Sequence, residues 1–175
     1  LFAMTGTGLS AVANPSAVFL EQRPEAAAGS AVCAAIQGTR PILLEVQALV
    51  AQAGFGAPRR TALGVDRNRL GLLAAVLERR VGLMLSDQDL YVSVAGGARL
   101  TEPAGDLALC AALVSSFRNQ ALPPELICFG EVGLAGELRP VVGSEQRLKE
   151  AVKLGFTRAV VAEGSGIDAP KGLTL

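Results

Sequence analysis

The chain has no histidine, only three cysteines among 175 residues, and aromatics at just 4%. Without histidine, the imidazole-based nucleophile activation and metal ligation that serve many hydrolases are excluded. Cys33, Cys110 and Cys128 stand singly inside apolar segments, with no C-x-x-C pair. That spacing predicts reduced, buried thiols of a cytoplasmic protein and argues against a zinc site. Net charge is also missing: 16 basic and 16 acidic side chains cancel, so no global field draws in a polyanion. No apolar run reaches the length of a membrane span, and the N-terminus lacks a basic segment followed by an apolar one. The Walker pattern G-x-x-x-x-G-K-[ST] is absent too, so no ATP site is expected in this stretch.

Half the residues are hydrophobic, and the low aromatic content predicts a core of Leu, Val, Ala and Ile. Apolar segments of strand and helix type alternate between glycine-rich turns, which predicts an α/β domain. Phe2 to Val12 has strand-like spacing broken by Gly6 and Gly8, and Asn14-Pro15-Ser16 precedes a short helix ending near Leu20. Residues 22–29 read as a linker, which sets the domain proper from about Gly29. Strands are expected at Ser30 to Gln37, Ile42 to Ala53, Asp89 to Ala95 and Arg158 to Ala162. A hairpin is expected between Leu126 to Val132 and Glu137 to Val141, and Gly54 to Gly64 reads as a loop. Asp66 is the expected N-cap of a helix to about Arg80, with Leu70, Leu73, Val76 and Leu77 as its apolar stripe. Further helices are expected from Asp106 to Phe117, with Asp106 favouring the helix start, and from Ser144, as cap, to Leu154. Glu45 interrupts an apolar strand, where alternation sets it opposite Leu44, Val46, Ala48 and Val50 and calls for an arginine partner or solvent.

Charge is distributed unevenly. Between Phe55 and Arg80, six arginines (Arg59, Arg60, Arg67, Arg69, Arg79 and Arg80) face only Asp66 and Glu78. Guanidinium forks at Arg59 and Arg60 match phosphate oxygens, but they equally suit an acidic face of a neighbouring subunit, or water. Arg67 and Arg69 begin a helix, where the dipole disfavours cations, so a partner outside the helix is expected; the local alternative for Arg69 is Asp66. Arg79 and Arg80 end the same helix and are explained by its dipole.

Two stretches carry a family resemblance. GGARLTEPAGDLALCAALVSS (Gly96 to Ser116) and FGEVGLAGELRPVVGSEQRLKEAVKLGF (Phe129 to Phe156) together resemble the proteolytic domain of the Lon family. Aligned on Ala112-Leu113-Val114-Ser115, the family's nucleophile position falls on Ala104. Counted from Pro140 through Gly143, its lysine position falls on Glu145. Alanine has no nucleophilic atom and glutamate cannot replace lysine, so the resemblance implies a protease fold without peptidase chemistry. A displaced serine such as Ser93 or Ser144, served by Lys149 or Lys153, would not inherit the dyad geometry.

The remainder is more specific. FAMTGTGLSAVANPSAVFL, GSAVCAAIQGTRPILLEVQALV and FGAPRRTALGVDRNRLGLLAAVLERR are similar to the carboxy-terminal part of the RadA (Sms) family of bacterial recombination and repair ATPases. The resemblance implies that residues 1–28 are the tail of a RecA-like motor with its linker. Residues 29–175 would be a Lon-like domain (the fold of ribosomal protein S5 domain 2) that forms a ring, a hexamer, and associates with single- or double-stranded DNA. It further implies a longer bacterial parent whose ATP, Mg and Zn sites lie elsewhere and which works with a RecA-type recombinase. Arg59, Arg60, Arg67 and Arg69 are the expected DNA contacts, with Asp66, Asn68 and Asp106 in structural or interface roles.

Overall fold

The computed structural model describes residues 2–6, 8–12, 14–24, 26–164 and 168–175. Its centre is a mixed sheet of six strands: β3 (Ser30–Gln37), β4 (Arg40–Gln52), β5 (Arg60–Leu63), β6 (Gln88–Val94), β7 (Leu126–Cys128) and β10 (Arg158–Val160). Their order is β10-β7-β3-β4-β6-β5. β3 and β4 form the antiparallel hairpin that Gly38 permits (φ 63°), and β6 adds antiparallel to β4. β5, β7 and β10 join in parallel at the flanks. A separate two-stranded sheet, β1 (Phe2–Thr5) with β2 (Gly8–Ala11), precedes all of this.

Alternation along β4 decides which helix covers which face. Leu44, Val46 and Ala48 point with Cys33 and Ala31 towards α3 (Asp106–Arg118), which α2 (Arg67–Val76) flanks. Leu43 and Glu45 point to the other face, under α1 (Pro15–Leu20) and α4 (Ser144–Lys153). These two helices meet where Ser16 Oγ donates to Glu150 Oε1 at 3.2 Å and accepts the Leu43 amide at 3.0 Å. α3 is buried almost all round, as its sequence predicts, and is tied to the sheet by two serines. Ser115 Oγ accepts the Gly29 amide and Ser116 Oγ that of Val50, both at 2.9 Å. Gly29 itself has φ +90°, and a Cβ there would lie 2.1 Å from the Ala48 carbonyl oxygen, so only glycine fits. Among the described residues no helix is long and apolar enough to cross a membrane.

Several expectations are corrected. The segment read as a loop to Gly64 contains β5, an edge strand too short for its alternation to be visible in sequence. The strand-like spacing of Phe2 to Val12, broken at Gly6 and Gly8, is the β1–β2 hairpin. In the hairpin expected from Leu126, the chain divides at Phe129-Gly130: β7 enters the main sheet, and only β8 (Glu131–Val132) pairs with β9 (Leu138–Arg139). Ser144 is not the cap of α4. Gly143 occupies that place at φ 74°, and Ser144 Oγ donates to the Val141 carbonyl at 2.7 Å. Asp106 does not cap α3 with its side chain, because its carboxylate reaches across to other elements.

Glu45 is 2% exposed and accepts from Ser30 Oγ at 2.6 Å; Ser30 Oγ in turn accepts from Arg23 Nε at 3.3 Å. The arginine it calls for is therefore supplied through a serine from the linker after α1.

Candidate nucleic-acid interface

Ala104 and Glu145, the two positions where the protease framework would carry its chemistry, occupy different environments. Ala104 is 1% exposed, in the short turn Pro103–Gly105 that feeds α3; its carbonyl accepts the Gly130 amide at 2.9 Å and lies 3.9 Å from Cys33 Sγ. The next residue must be glycine, since a Cβ at Gly105 would lie 2.3 Å from the Leu100 side chain. Glu145 points to solvent in the first turn of α4 and pairs with Lys149 at 2.6 Å, which holds its carboxyl below the usual carboxylate range. Lys153 pairs with Glu150 at 3.6 Å, so both lysines near this end have acidic neighbours. Ala104 carries no nucleophilic atom, and the Glu145 carboxylate lies on the α4 surface in an ion pair with Lys149.

Beside Ala104 a cleft of about 610 Å³ opens between the β5–α2 corner and residues 99–106. Val65, Leu100 and Leu109 lie in its wall, with Asp66, Arg69 and Glu102 among its polar groups. One end is closed by a fork. Arg69 Nε donates to Asp106 Oδ1 at 2.8 Å, its Nη2 bonds Asp106 Oδ2, and the same nitrogen donates to the Val132 carbonyl at 2.9 Å. Asp106, 3% exposed, completes the joint by accepting the Val132 amide at 3.1 Å. Hydrogen bonding to Asp106 raises the pKa of Arg69 above its ordinary value. Asp66 caps α2 as expected, accepting the Arg69 amide at 2.8 Å, so the side-chain partner of Arg69 is Asp106 and not Asp66. Asn68 is exposed in the first turn of α2.

The expected DNA contacts thus divide into two kinds. Arg60 turns inward: Nη2 donates to the Leu85 carbonyl at 2.8 Å, and Nη1 to those of Arg59 (3.1 Å) and Gln88. Arg69 is committed to Asp106. Arg59 and Arg67 are exposed, at the two ends of β5 and its following turn, and among the described residues no hydrogen bond or ion pair engages either guanidinium. The Arg59 backbone is fixed through its amide, which donates to Asp89 Oδ1 at 2.6 Å.

Sequence reasoning missed the most buried charge. Arg147 is 1% exposed and forks onto Glu102, Nη1 to Oε1 at 2.8 Å and Nη2 to Oε2 at 2.6 Å. β3 outruns β7 here, leaving open edge groups; Arg147 Nη1 donates to the Ala34 carbonyl at 2.5 Å and Glu102 Oε1 accepts the Ile36 amide at 2.6 Å. The Phe129 ring lies 5.7 Å from the guanidinium carbon. The signal was present: Ser144, Arg147, Leu148 and Ala151 follow i, i+3, i+4, i+7 spacing, and all four are buried.

All three cysteines are free and buried. Burial pushes the Cys110 and Cys128 thiols up to about 12, and Cys33 higher still. Thiolate, the reactive species, is therefore scarce near neutrality. Native protein at pH 8 is expected to resist iodoacetamide, with all three thiols alkylated only after denaturation. Rapid native labelling, read by intact mass, would contradict the packing around them.

No family model matches the chain. Curated relatives, however, match it along nearly its whole length. The DNA repair protein RadA of Bacillus subtilis is 52% identical over 175 residues, covering 99% of this chain and 38% of the relative. That of Escherichia coli K12 is 50% identical over 176 residues, covering 100% of the chain and 38% of the relative. The Halalkalibacterium halodurans protein is 53% identical over 163 residues, covering 93% and 36%. The chain thus spans a little over a third of the length of these relatives. Over that span, the chain is homologous to bacterial proteins named DNA repair protein RadA.

Proposed function

We propose that this chain is a non-catalytic module of a bacterial DNA recombination and repair ATPase, folded as a Lon-like domain, that assembles into a hexameric ring and contacts DNA during branch migration. The observation that carries the reading is identity of 50% or more with proteins named DNA repair protein RadA across nearly the whole chain. Alanine and glutamate at the dyad positions support a scaffold in place of a peptidase. Among the described residues the β1–β2 hairpin pairs with no other strand, and a lone hairpin is marginal in water, which supports assigning the start of the 1–28 segment to a neighbouring motor, while α1 packs on β4 of this domain. ATP, Mg and Zn would be held outside this stretch, and a RecA-type recombinase would be met by the full-length protein in the cytoplasm.

In this reading Arg59 and Arg67 meet phosphates, while Arg60 and Arg69 brace the strand and helix that carry them. A ring of identical subunits needs two different surfaces that meet head to tail. The second reading, an oligomerisation domain without DNA contact, draws on the same exposed arginines as partners for a neighbour's acidic face.

Fluorescence anisotropy with labelled single- and double-stranded DNA separates the two. Phosphate contact predicts binding that weakens linearly on a log–log plot as salt rises. Absence of binding at low salt leaves assembly as the role of this chain.

A further inference from the structure

Phe55 is the most exposed apolar residue described, as open to water as in an extended peptide. It stands at the tip of the loop between β4 and β5, with glycine on either side; Gly56 has φ +108°, and a Cβ at Gly54 or Gly56 would meet nothing within 4 Å. The ring therefore has open space beside its backbone and no side chains on the two adjacent residues.

The loop's two stems, by contrast, are fastened. On one side the Ala53 amide donates to the Asp87 carbonyl at 3.0 Å, and Gln52 Nε2 reaches the same oxygen at 3.3 Å. On the other, the Arg59 amide is held by Asp89 and the Arg60 fork by the carbonyls of Leu85 and Gln88. This explains why Arg60 turns inward: it anchors the stem from which Phe55 and Arg59 project. Three residues lie between Phe55 and Arg59, so their Cα atoms are at most about 14 Å apart and both side chains serve one short stretch of strand.

We infer that Phe55 is a base-stacking residue for single-stranded DNA, with Arg59 holding a phosphate of the same strand; the inference rests on the DNA-contacting reading above. Every base offers a π face to an aromatic ring, so such a contact is indifferent to sequence, and a neighbouring cation adds the backbone contact. A protein partner is the weaker fit, because hot-spot aromatics sit at the centre of an apolar, water-excluding rim. Here the immediate neighbours are glycines.

The test uses the 175-residue chain, a labelled oligothymidine, and the variants Phe55→Ala and Phe55→Trp. Removing the ring is expected to weaken oligothymidine binding roughly five- to a hundred-fold at fixed salt, the loss of one stacked base, while the salt slope stays unchanged. Duplex binding should fall less. Phe55→Trp should bind like the parent, and its indole, the only one in a chain without tryptophan, should be quenched on adding oligothymidine. If the parent binds with salt dependence but Phe55→Ala binds equally well, or the indole emission is unmoved, the stacking role is overturned and the arginine contacts stand. A change of oligomeric state in Phe55→Ala, seen by sedimentation, would overturn it in favour of subunit docking. Failure of the parent to bind any DNA would remove both readings together.

Discussion

Arg147→Ala is expected to destabilise the domain by about 2–4 kcal/mol, because it removes the buried half of a partly buried ion pair and leaves several acceptors, Glu102 at the cleft wall among them, without their donor. Four acceptors lose a donor at once: the two carboxylate oxygens of Glu102 and the carbonyls of Ala34 and Val142. At 1% exposure, water cannot replace the guanidinium without opening the packing against Phe129. The cost reflects the unpaired remainder more than the worth of the pair, and this gives a second, discriminating variant. Arg147→Met with Glu102→Gln replaces the charge on both sides and keeps an acceptor for the Ile36 amide. It should recover a large part of the loss. Urea unfolding followed by circular dichroism reads both; a loss below about 1 kcal/mol for Arg147→Ala would mean that the pair is hydrated and not buried.

Asp106→Ala should cost about 2–4 kcal/mol by a different route. Its carboxylate is the joint between three elements: it begins α3, holds Arg69 of α2, and accepts the amide of Val132 in β8. Truncation leaves the Val132 amide without its acceptor and frees the Arg69 fork beside the cleft. Asp106→Asn can keep its carbonyl oxygen where Oδ2 now accepts from both Arg69 and the Val132 amide, losing the Arg69 Nε bond and the charge, and a smaller loss is expected. Amide hydrogen exchange locates the effect. Val132 should lose protection selectively, while β3 and β4 in the sheet centre keep theirs until global unfolding. Uniform loss of protection would show that the joint is not a local device.

The elements legible in the sequence were those with long periodicity or a strong local signal. Leu70, Leu73, Val76 and Leu77 mark one face of α2, and the Asp66 cap fixes where it begins. β3 and β4 are apolar-rich runs of eight and thirteen residues, buried on both faces over most of β3 and separated by the turn at Gly38. What stayed hidden depended on distant chain. β5 is four residues long and exists by pairing with β6, some thirty positions later. The division at Gly130 is decided by which strand edge is free, and a local pattern does not record that. Side-chain commitments were the least legible. Arg60 and Arg59 are indistinguishable in sequence, yet one faces three carbonyls and the other faces water. Arg69 and Asp106 were both singled out, but as members of different groups; their pairing spans 37 positions. Arg147 escapes sequence reasoning because an arginine on a buried helical face contradicts composition rules unless its carboxylate, here Glu102, is already in view.

The central claim, that the arginines left free by the fold meet DNA phosphates, is tested most directly by the salt dependence of Arg59→Ala/Arg67→Ala. For single-stranded DNA, loss of two phosphate contacts should flatten the slope of log K against log salt by about 1.4, at 0.7 for each contact. Melting temperature and oligomeric state should match the parent, since neither guanidinium has a partner among the described residues. An unchanged slope, or loss of assembly in the same samples, would contradict the account and return these arginines to the subunit interface.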